Sequence, residues 1–341
     1  MSPSVEILPI AVPERGETVE VAPGIHWLRM PLPFALDHIN LWLLEDEDGW
    51  TAVDCGVAND EIRDLWRRIL TPRVARKPLR RMVCTHSHPD HMGLAGWLAS
   101  EYGAELWTTR GEWMAGRLFS HGGHIDKDLY GAHYRAAGCS EEDVDASLAH
   151  VGSAEALYDP VPERCWRLKD GDHIRMAGRD WHVMVALGHS VEHACLYCPD
   201  LELMIGGDQF LAKITPALLA YPSEPNSSPL RDFLDSNKRF LGLSGEVRIL
   251  PSHKWPFRGL RTRIDEYESH HAARLETTMA VCERPASCVE IARKLFEPRP
   301  IDGRIMFFAV GETLAHVRYL QEDGLIGSET AADGIIRYFQ T

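Results

Sequence analysis

Three histidines and an aspartate fall within six residues of the run Thr85-His86-Ser87-His88-Pro89-Asp90-His91. Imidazole is a common metal ligand, and zinc takes it through a ring nitrogen. His86 and His88 are two apart, so they face the same way where a short apolar strand, Arg81–Cys84, runs out. Asp90 and His91 lie where the chain turns into the next helix and approach from a second side. Pro89 favours an extended residue before it and breaks the strand there. Three later strand ends each bring one more donor: His189 in Gly188-His189-Ser190, Asp208 in Gly206-Gly207-Asp208, and His253 in Pro251-Ser252-His253. Glycines before His189 and Asp208 let the backbone pass close to a crowded site. A polar loop that is merely histidine-rich would not be answered by three such donors further along, so the pattern points to a metal centre.

The elements that must hold these residues follow from periodicity. Residues 18–30 and 39–54 read as strands, with a turn at Glu47-Asp48-Gly49 between apolar runs. Residues 59–70 carry apolar positions 62, 65, 66, 69 and 70 at helical spacing, with Asn59 as N-cap. Residues 94–102 read as a helix and 105–108 as a strand. Residues 111–150 change character, becoming helical and aromatic with breaks at Gly122-Gly123 and Gly138, and read as an insertion. The β pattern resumes at Trp166, with hairpins at Asp170-Gly171-Asp172 and Pro199-Asp200, then a helix over 230–241 and a strand over 247–250. Hairpins with interspersed helices predict a layered α/β sandwich, not a doubly wound parallel sheet. After Phe257 the chain is mostly helical, with helices over 263–282, 288–296 and 307–322 and a small β wing over 324–339. The expected division is a catalytic domain over 1–260 and a C-terminal domain over 261–341.

Composition narrows the classes. At 341 residues the chain exceeds one ordinary hydrophobic core. Its 45% apolar content suits a folded protein. No apolar stretch approaches the roughly 18 residues of a membrane span. The segment MSPSVEILPIAVPERGE lacks a basic region followed by an apolar one, so a cytoplasmic location is the expectation. A net charge of −14 repels nucleic acid unless a local basic patch intervenes. The run of cations from Arg67 to Arg81 reads as a solvated face. The eight cysteines need not form a disulfide framework. Cys195 and Cys198 form a CxxC within a strand, where their thiols point to opposite faces and suit a shared metal poorly.

The order HxHxDH, GHS, GGD and PSH, over roughly residues 20–257, resembles the metallo-β-lactamase superfamily. The resemblance implies an αββα sandwich with metals at one edge. It places one metal on His86, His88 and His189 and a second on Asp90, His91 and His253, with Asp208 and a hydroxide bridging them. Two divalent ions are implied, zinc by default, though iron or manganese also suits this donor set. The aspartate at 208 belongs with glyoxalase II-like thioesterases, lactonases and nucleases. The C-terminal helices, with Gly311–Leu320 and a wing, resemble the winged-helix tail of the β-lactamase-like protein 2 branch. Serine at 252, where the family has glycine, narrows the backbone options there.

Such a site implies hydrolysis without a serine or cysteine nucleophile, because metals activate water and hold the developing oxyanion. Asp90 could also carry a proton to the leaving group. His193 reads as support for a ligand. His38, Trp113, Tyr134 and Lys213 are candidate substrate contacts, the aromatic pair with Tyr130 as an apolar lid and Lys213 for an anionic group. His121, His124 and His133 read as loop histidines. The leading function is hydrolysis of an ester or thioester, with a lactone as a variant. A ribonuclease or phosphodiesterase and a non-catalytic metal-bearing module are the alternatives. Residues 261–341 hold ten Lys/Arg against thirteen Asp/Glu, which disfavours nucleic acid. The expected partners are a small-molecule substrate and, through the apolar faces of the C-terminal helices, the catalytic domain or a second copy of the chain.

Overall fold

The computed structural model of the chain describes residues 5–33, 36–121, 126–301 and 303–341. The expected break at Gly122-Gly123 and the loop histidine His124 lie outside the described residues. The chain begins with β1 (Glu6–Ile7), β2 (Val19–Ala22), β3 (Ile25–Pro31), β4 (His38–Glu45), β5 (Trp50–Val53), α1 (Asp60–Val74) and β6 (Leu79–Val83). Next come α2 (Pro89–Met92), α3 (Ala95–Tyr102), β7 (Glu105–Thr109), α4 (Arg110–Ser120), α5 (Lys127–Ala136) and α6 (Glu141–Gly152). Then follow β8 (Trp166–Leu168), β9 (His173–Met176), β10 (Arg179–Ala186), β11 (His193–Cys198), β12 (Leu203–Gly207), α7 (Pro229–Lys238), β13 (Arg248–Pro251) and β14 (Phe257–Arg258). The chain ends with α8 (Leu260–Val281), β15 (Ala286–Ser287), α9 (Cys288–Leu295), α10 (Gly303–Glu322), β16 (Ile326–Thr330) and β17 (Ile336–Gln340).

The chain divides into two compact units. The first comprises residues 1–123, 154–216 and 240–263 and contains two seven-stranded sheets. One runs in the order β2-β3-β4-β5-β6-β7-β8 and the other β1-β14-β13-β12-β11-β10-β9. Both are mixed: β5 to β8 pair in parallel, as do β12 and β13, and the other pairs are antiparallel. The turn after β4 closes as expected, with the Asp46 amide bonded to the Gly49 carbonyl at 2.9 Å. Trp27, Trp42, Trp181, Val183, Leu196 and Ile205 fill the space between the sheets. Each such fully buried side chain contributes on the order of 1.5–3 kcal/mol. On the outer face of the first sheet, Ile62, Trp66, Ile69 and Leu70 of α1 pack over Leu28, Leu41 and neighbouring strand residues. The Asn59 side chain accepts the Ile62 amide and starts that helix. This is the layered α/β sandwich that the hairpin-rich pattern predicts.

The second unit takes in residues 124–153, 217–239 and 264–341. It is thus wider than the stretch 261–341, and the 111–150 segment is shared between the units. α4 belongs to the sandwich, whereas α5, α6 and α7 belong with the C-terminal helices. The reason is packing: α10 lies against both α6 and α7, and His150 of α6 meets the rings of Phe307 and Phe308. A three-stranded sheet, β15-β17-β16, completes this unit, and its β16–β17 hairpin occupies the stretch read as a wing. A reciprocal cap between Ser287 and Glu290 starts α9. All eight cysteines are thiols. Among the described residues, no helix is long and apolar enough to cross a membrane.

Candidate metal centre

The first sheet delivers the central motif. β6 ends at Val83, the chain leaves the sheet, and Pro89 opens α2, whose first turn carries Asp90 and His91. The second sheet supplies the rest from the ends of β10, β12 and β13. His86, His91 and His253 are almost wholly buried, and Asp208 is 7% exposed.

The donors form two groups that share a carboxylate. In the first, His86 Nε2 lies 2.9 Å from His88 Nδ1 and 3.3 Å from His189 Nε2. In the second, His253 Nε2 lies 3.4 Å from Asp90 Oδ2, and His91 Nε2 lies 3.6 Å from that oxygen. Asp208 reaches both: Oδ2 is 3.5 Å from His189 Nε2, and Oδ1 is 3.4 Å from His253 Nε2 and 3.6 Å from His91 Nε2. His91 Nε2 and Asp208 Oδ1 are buried without a hydrogen-bond partner. Polar atoms orphaned in this way are costly unless something else satisfies them, and a cation between the groups would do so. The nitrogen and oxygen donors suit a first-row divalent ion. The clusters therefore fit a dinuclear metal site.

Electrostatics separate the halves. Burial, reinforced by the neighbouring imidazoles, holds His86 well below its usual range. Burial and then His189 lower His88 to about 3. These rings stay neutral and offer lone pairs. In the other half burial opposes charging, yet Asp208 and Asp90 still raise His253 to about 10. Burial likewise opposes charge on His91, but Asp90, Asp54 and Asp208 lift it well above its usual range. The two carboxylates thus demand positive charge beside them, which a dication supplies without protons.

Residues around the site fix the donors, and Asp54, Tyr158 and Glu112 among them are ones the sequence does not single out. Asp54, at φ 62°, accepts the Thr85 amide at 2.7 Å, the Thr85 hydroxyl at 2.9 Å and His91 Nδ1 at 2.8 Å. That bond leaves His91 Nε2 as the donor toward the site. His253 Nδ1 donates to the His38 carbonyl at 2.9 Å and orients Nε2 likewise. Tyr158 donates to the Ser87 carbonyl at 2.6 Å, while Glu112 accepts the Ser87 amide at 2.8 Å. His193 supports the shared carboxylate from behind, its Nε2 accepting the Asp208 amide at 3.1 Å. Gly207 is required for that approach, since a Cβ there would fall 2.3 Å from His193 Nε2. Ser252 fits where glycine was expected because the left-handed residue of this loop is Lys254, at φ 70°.

The four candidate substrate contacts fare differently. Both His38 ring nitrogens are engaged, Nδ1 with Asp37 at 2.6 Å and Nε2 with the Lys254 amide at 3.1 Å, so His38 braces the His253 loop rather than facing a ligand. Trp113 donates to the Pro162 carbonyl at 2.9 Å and packs on the outer core of the first sheet. Tyr134 is 2% exposed within the second unit, beside Tyr130 and His133. Both rings are engaged in packing within their own units. Lys213 lies 5.3 Å above the Trp255 ring, two residues past His253. His121 is an exposed residue after α4, whereas His133 lies inside α5, where burial and then Arg318 lower it to about 4.

A profile of the metallo-beta-lactamase superfamily matches residues 35–253, and one of the metallo-beta-lactamase-like C-terminal domain matches residues 275–341. The chain is 24% identical over 331 residues to the probable metallo-hydrolase YqjP of Bacillus subtilis (strain 168), covering 92% of this chain and 97% of that one. It is 23% identical over 254 residues to the acyl-coenzyme A thioesterase MBLAC2 of Homo sapiens, covering 67% and 78% respectively. Among solved structures, a beta-lactamase domain protein from Burkholderia ambifaria superposes with a TM-score of 0.92 at 38% identity, over 99% of this chain and 98% of that one. A metallo-beta-lactamase family protein from Thermus thermophilus gives 0.80 at 27% identity, over 94% and 100%.

Proposed function

Because this chain belongs to the metallo-β-lactamase superfamily, we propose that it is a metallo-hydrolase that cleaves an ester or thioester carrying an apolar acyl group. The residues that would hold two divalent ions are His86, His88 and His189 on one side and Asp90, His91 and His253 on the other, with Asp208 between. Ions bound there would supply a water that is deprotonated near neutral pH and a Lewis acid for the scissile carbonyl. The chain's own contribution is positional. Asp54 and the His38 carbonyl fix the ring orientation of His91 and His253. In this reading Asp90 would take a proton and return it to the leaving group, as a carboxylate beside the nucleophile can.

One observation carries the acyl reading. Exposed apolar side chains lie beside His189 and along the helix that starts there: Leu187 and Val191 on either side of His189 are 37% and 45% exposed, and Met114 and Leu118 of α4 are 60% and 56% exposed. A Cβ on Gly111 would touch Val191 at 3.0 Å, so α4 starts beside that loop. Positions 111, 114 and 118 share one helix face, so the stripe leads away from His189 along the helix. At the His253 side, by contrast, Lys213 stands above Trp255 and offers a cation to an anionic leaving group. An apolar flank and a cationic flank suit an acyl thioester of a charged thiol better than a nucleic acid. The thioesterase activity named for one relative agrees with this reading.

The test is a hydrolysis series with zinc-loaded protein on acyl-CoA thioesters of increasing chain length, alongside lactones, phosphodiesters and single-stranded RNA. The stripe from Gly111 to Leu118 spans about 10 Å of helix, enough for roughly eight acyl carbons. kcat/KM is expected to rise with chain length to about that point, and Leu118→Glu to lower it roughly tenfold for the longer chains only. Turnover confined to phosphodiesters or RNA would replace this reading with the nuclease one.

A further inference from the structure

The first turn of α4 is bonded to both loops that bring in the first metal group. Glu112 is fully buried. Its Oε2 accepts the Ser87 amide at 2.8 Å, between His86 and His88, and its Oε1 accepts the Glu192 amide at 2.7 Å, three residues past His189. Glu192 answers in kind: its Oε2 accepts the Gly111 amide at 2.7 Å, and its carbonyl accepts the Thr109 hydroxyl at 2.8 Å. Tyr158 donates to the carbonyl of the same residue, Ser87. The two loops come from different sheets. β11, which follows the His189 loop, also meets the central motif, with the Ala194 amide bonded to the Thr85 carbonyl at 2.8 Å. A carboxylate that spends both oxygens on two backbone amides, one from each loop, fixes their spacing.

We propose that this clasp of Glu112 and Glu192 is the positioning device for the first metal, setting the separation of His86 and His88 from His189 and hence that position's affinity. The inference rests on the metal assignment above. It also makes α4 a direct mechanical link: the helix bearing Met114 and Leu118 is the helix whose first turn holds the ligand loops. A charge-assisted bond to a backbone amide is stronger than a neutral one. Removing the carboxylate therefore frees two buried amides at once, one in each loop. No donor atom is lost, so the effect must appear as weaker binding at one position and not as the absence of a site.

Zinc affinity and stoichiometry, measured by competition with a chromophoric chelator, test the proposal, with Co(II) absorption reporting ligand geometry. Glu112→Ala is expected to remain folded by circular dichroism, keep one ion at wild-type affinity and bind the other at least tenfold more weakly. Its Co(II) spectrum should change in the same half. Glu112→Gln, which retains one acceptor oxygen, should fall between, and Glu192→Ala should show a smaller loss at the same ion. Asn59→Ala, which weakens the start of α1 and removes no group bonded to Glu112 or Glu192, controls for general loss of stability. Wild-type affinity for both ions in Glu112→Ala, or a loss no larger than in Asn59→Ala at matched stability, overturns the proposal. His189→Ala keeps the two ideas apart. If it leaves metal content unchanged, the metal assignment falls and the clasp with it. If it removes one ion while Glu112→Ala binds normally, the clasp alone is wrong.

Discussion

Gly207 occupies a place that admits no side chain. Its φ of 53° lies in the left-handed region, and a Cβ would overlap His193 Nε2 at 2.3 Å. Gly207→Ala is expected to destabilise the fold by about 2–3 kcal/mol in chemical denaturation, from backbone strain and forced displacement. Because His193 holds the Asp208 amide, the same variant should bind metal more weakly than wild type. An alanine variant of unchanged stability and metal content would show that the close approach is not needed. The seven residues were legible in the sequence because each is a metal-binding type, either in the tight run 86–91 or just past a strand end, and the folded chain brings all seven together. Asp54, Glu112 and Tyr158 were not legible, because a residue that grips backbone groups needs no particular spacing from the donors it serves. The packing of Trp113 and Tyr134 was not legible for the complementary reason: aromatic composition does not say which face of a helix is covered.

Elements with strong local signals were readable. Asn59 before an apolar 3.6-period stretch marked the start of α1, and the helix indeed begins there. Replacing it by alanine should lower stability by about 1 kcal/mol, visible as a lower Tm, since the Ile62 amide loses its acceptor. An unchanged Tm would mean that water substitutes fully for the cap. α2 is only four residues long and has no amphipathic period to detect, although it aims Asp90 and His91. The grouping of α5, α6 and α7 with the C-terminal helices was also hidden. It depends on contacts with α10 between residues far apart in sequence, whereas the 111–150 composition, viewed locally, looks like one insertion.

At the scale of the whole molecule, the second unit carries a buried histidine pair of its own. His271 Nδ1 donates to His316 Nε2 at 3.1 Å, and His316 Nδ1 donates to the Glu312 carbonyl at 2.7 Å. Burial, then His316, lowers His271 to about 2, and burial also lowers His316 to about 4. Arg274 and His270 add to the effect, and Glu312 pairs with Arg274 at 3.1 Å. Since the folded values lie below the unfolded one of about 6.5, the unfolded chain takes up protons first on acidification. The stability contributed by these neutral rings is therefore complete above about pH 6.5 and declines as pH falls toward about 4. Thermal scans should give a Tm several degrees lower at pH 5 than at pH 7.5, and the variant His271→Asn/His316→Gln should flatten that dependence. An equal slope in the variant would assign the acid sensitivity elsewhere. A different consequence follows from where the donors originate. They come from four stretches of chain, at 86–91, 189, 208 and 253, and the unfolded chain scatters them. Ions gripped by all four would act as reversible cross-links and, by mass action, would stabilise the native state in proportion to the logarithm of free ion over dissociation constant. Resistance to heat and proteases would then follow the metal supply of the surroundings, and a chelator would loosen the strand ends at the site before any other part of the sandwich.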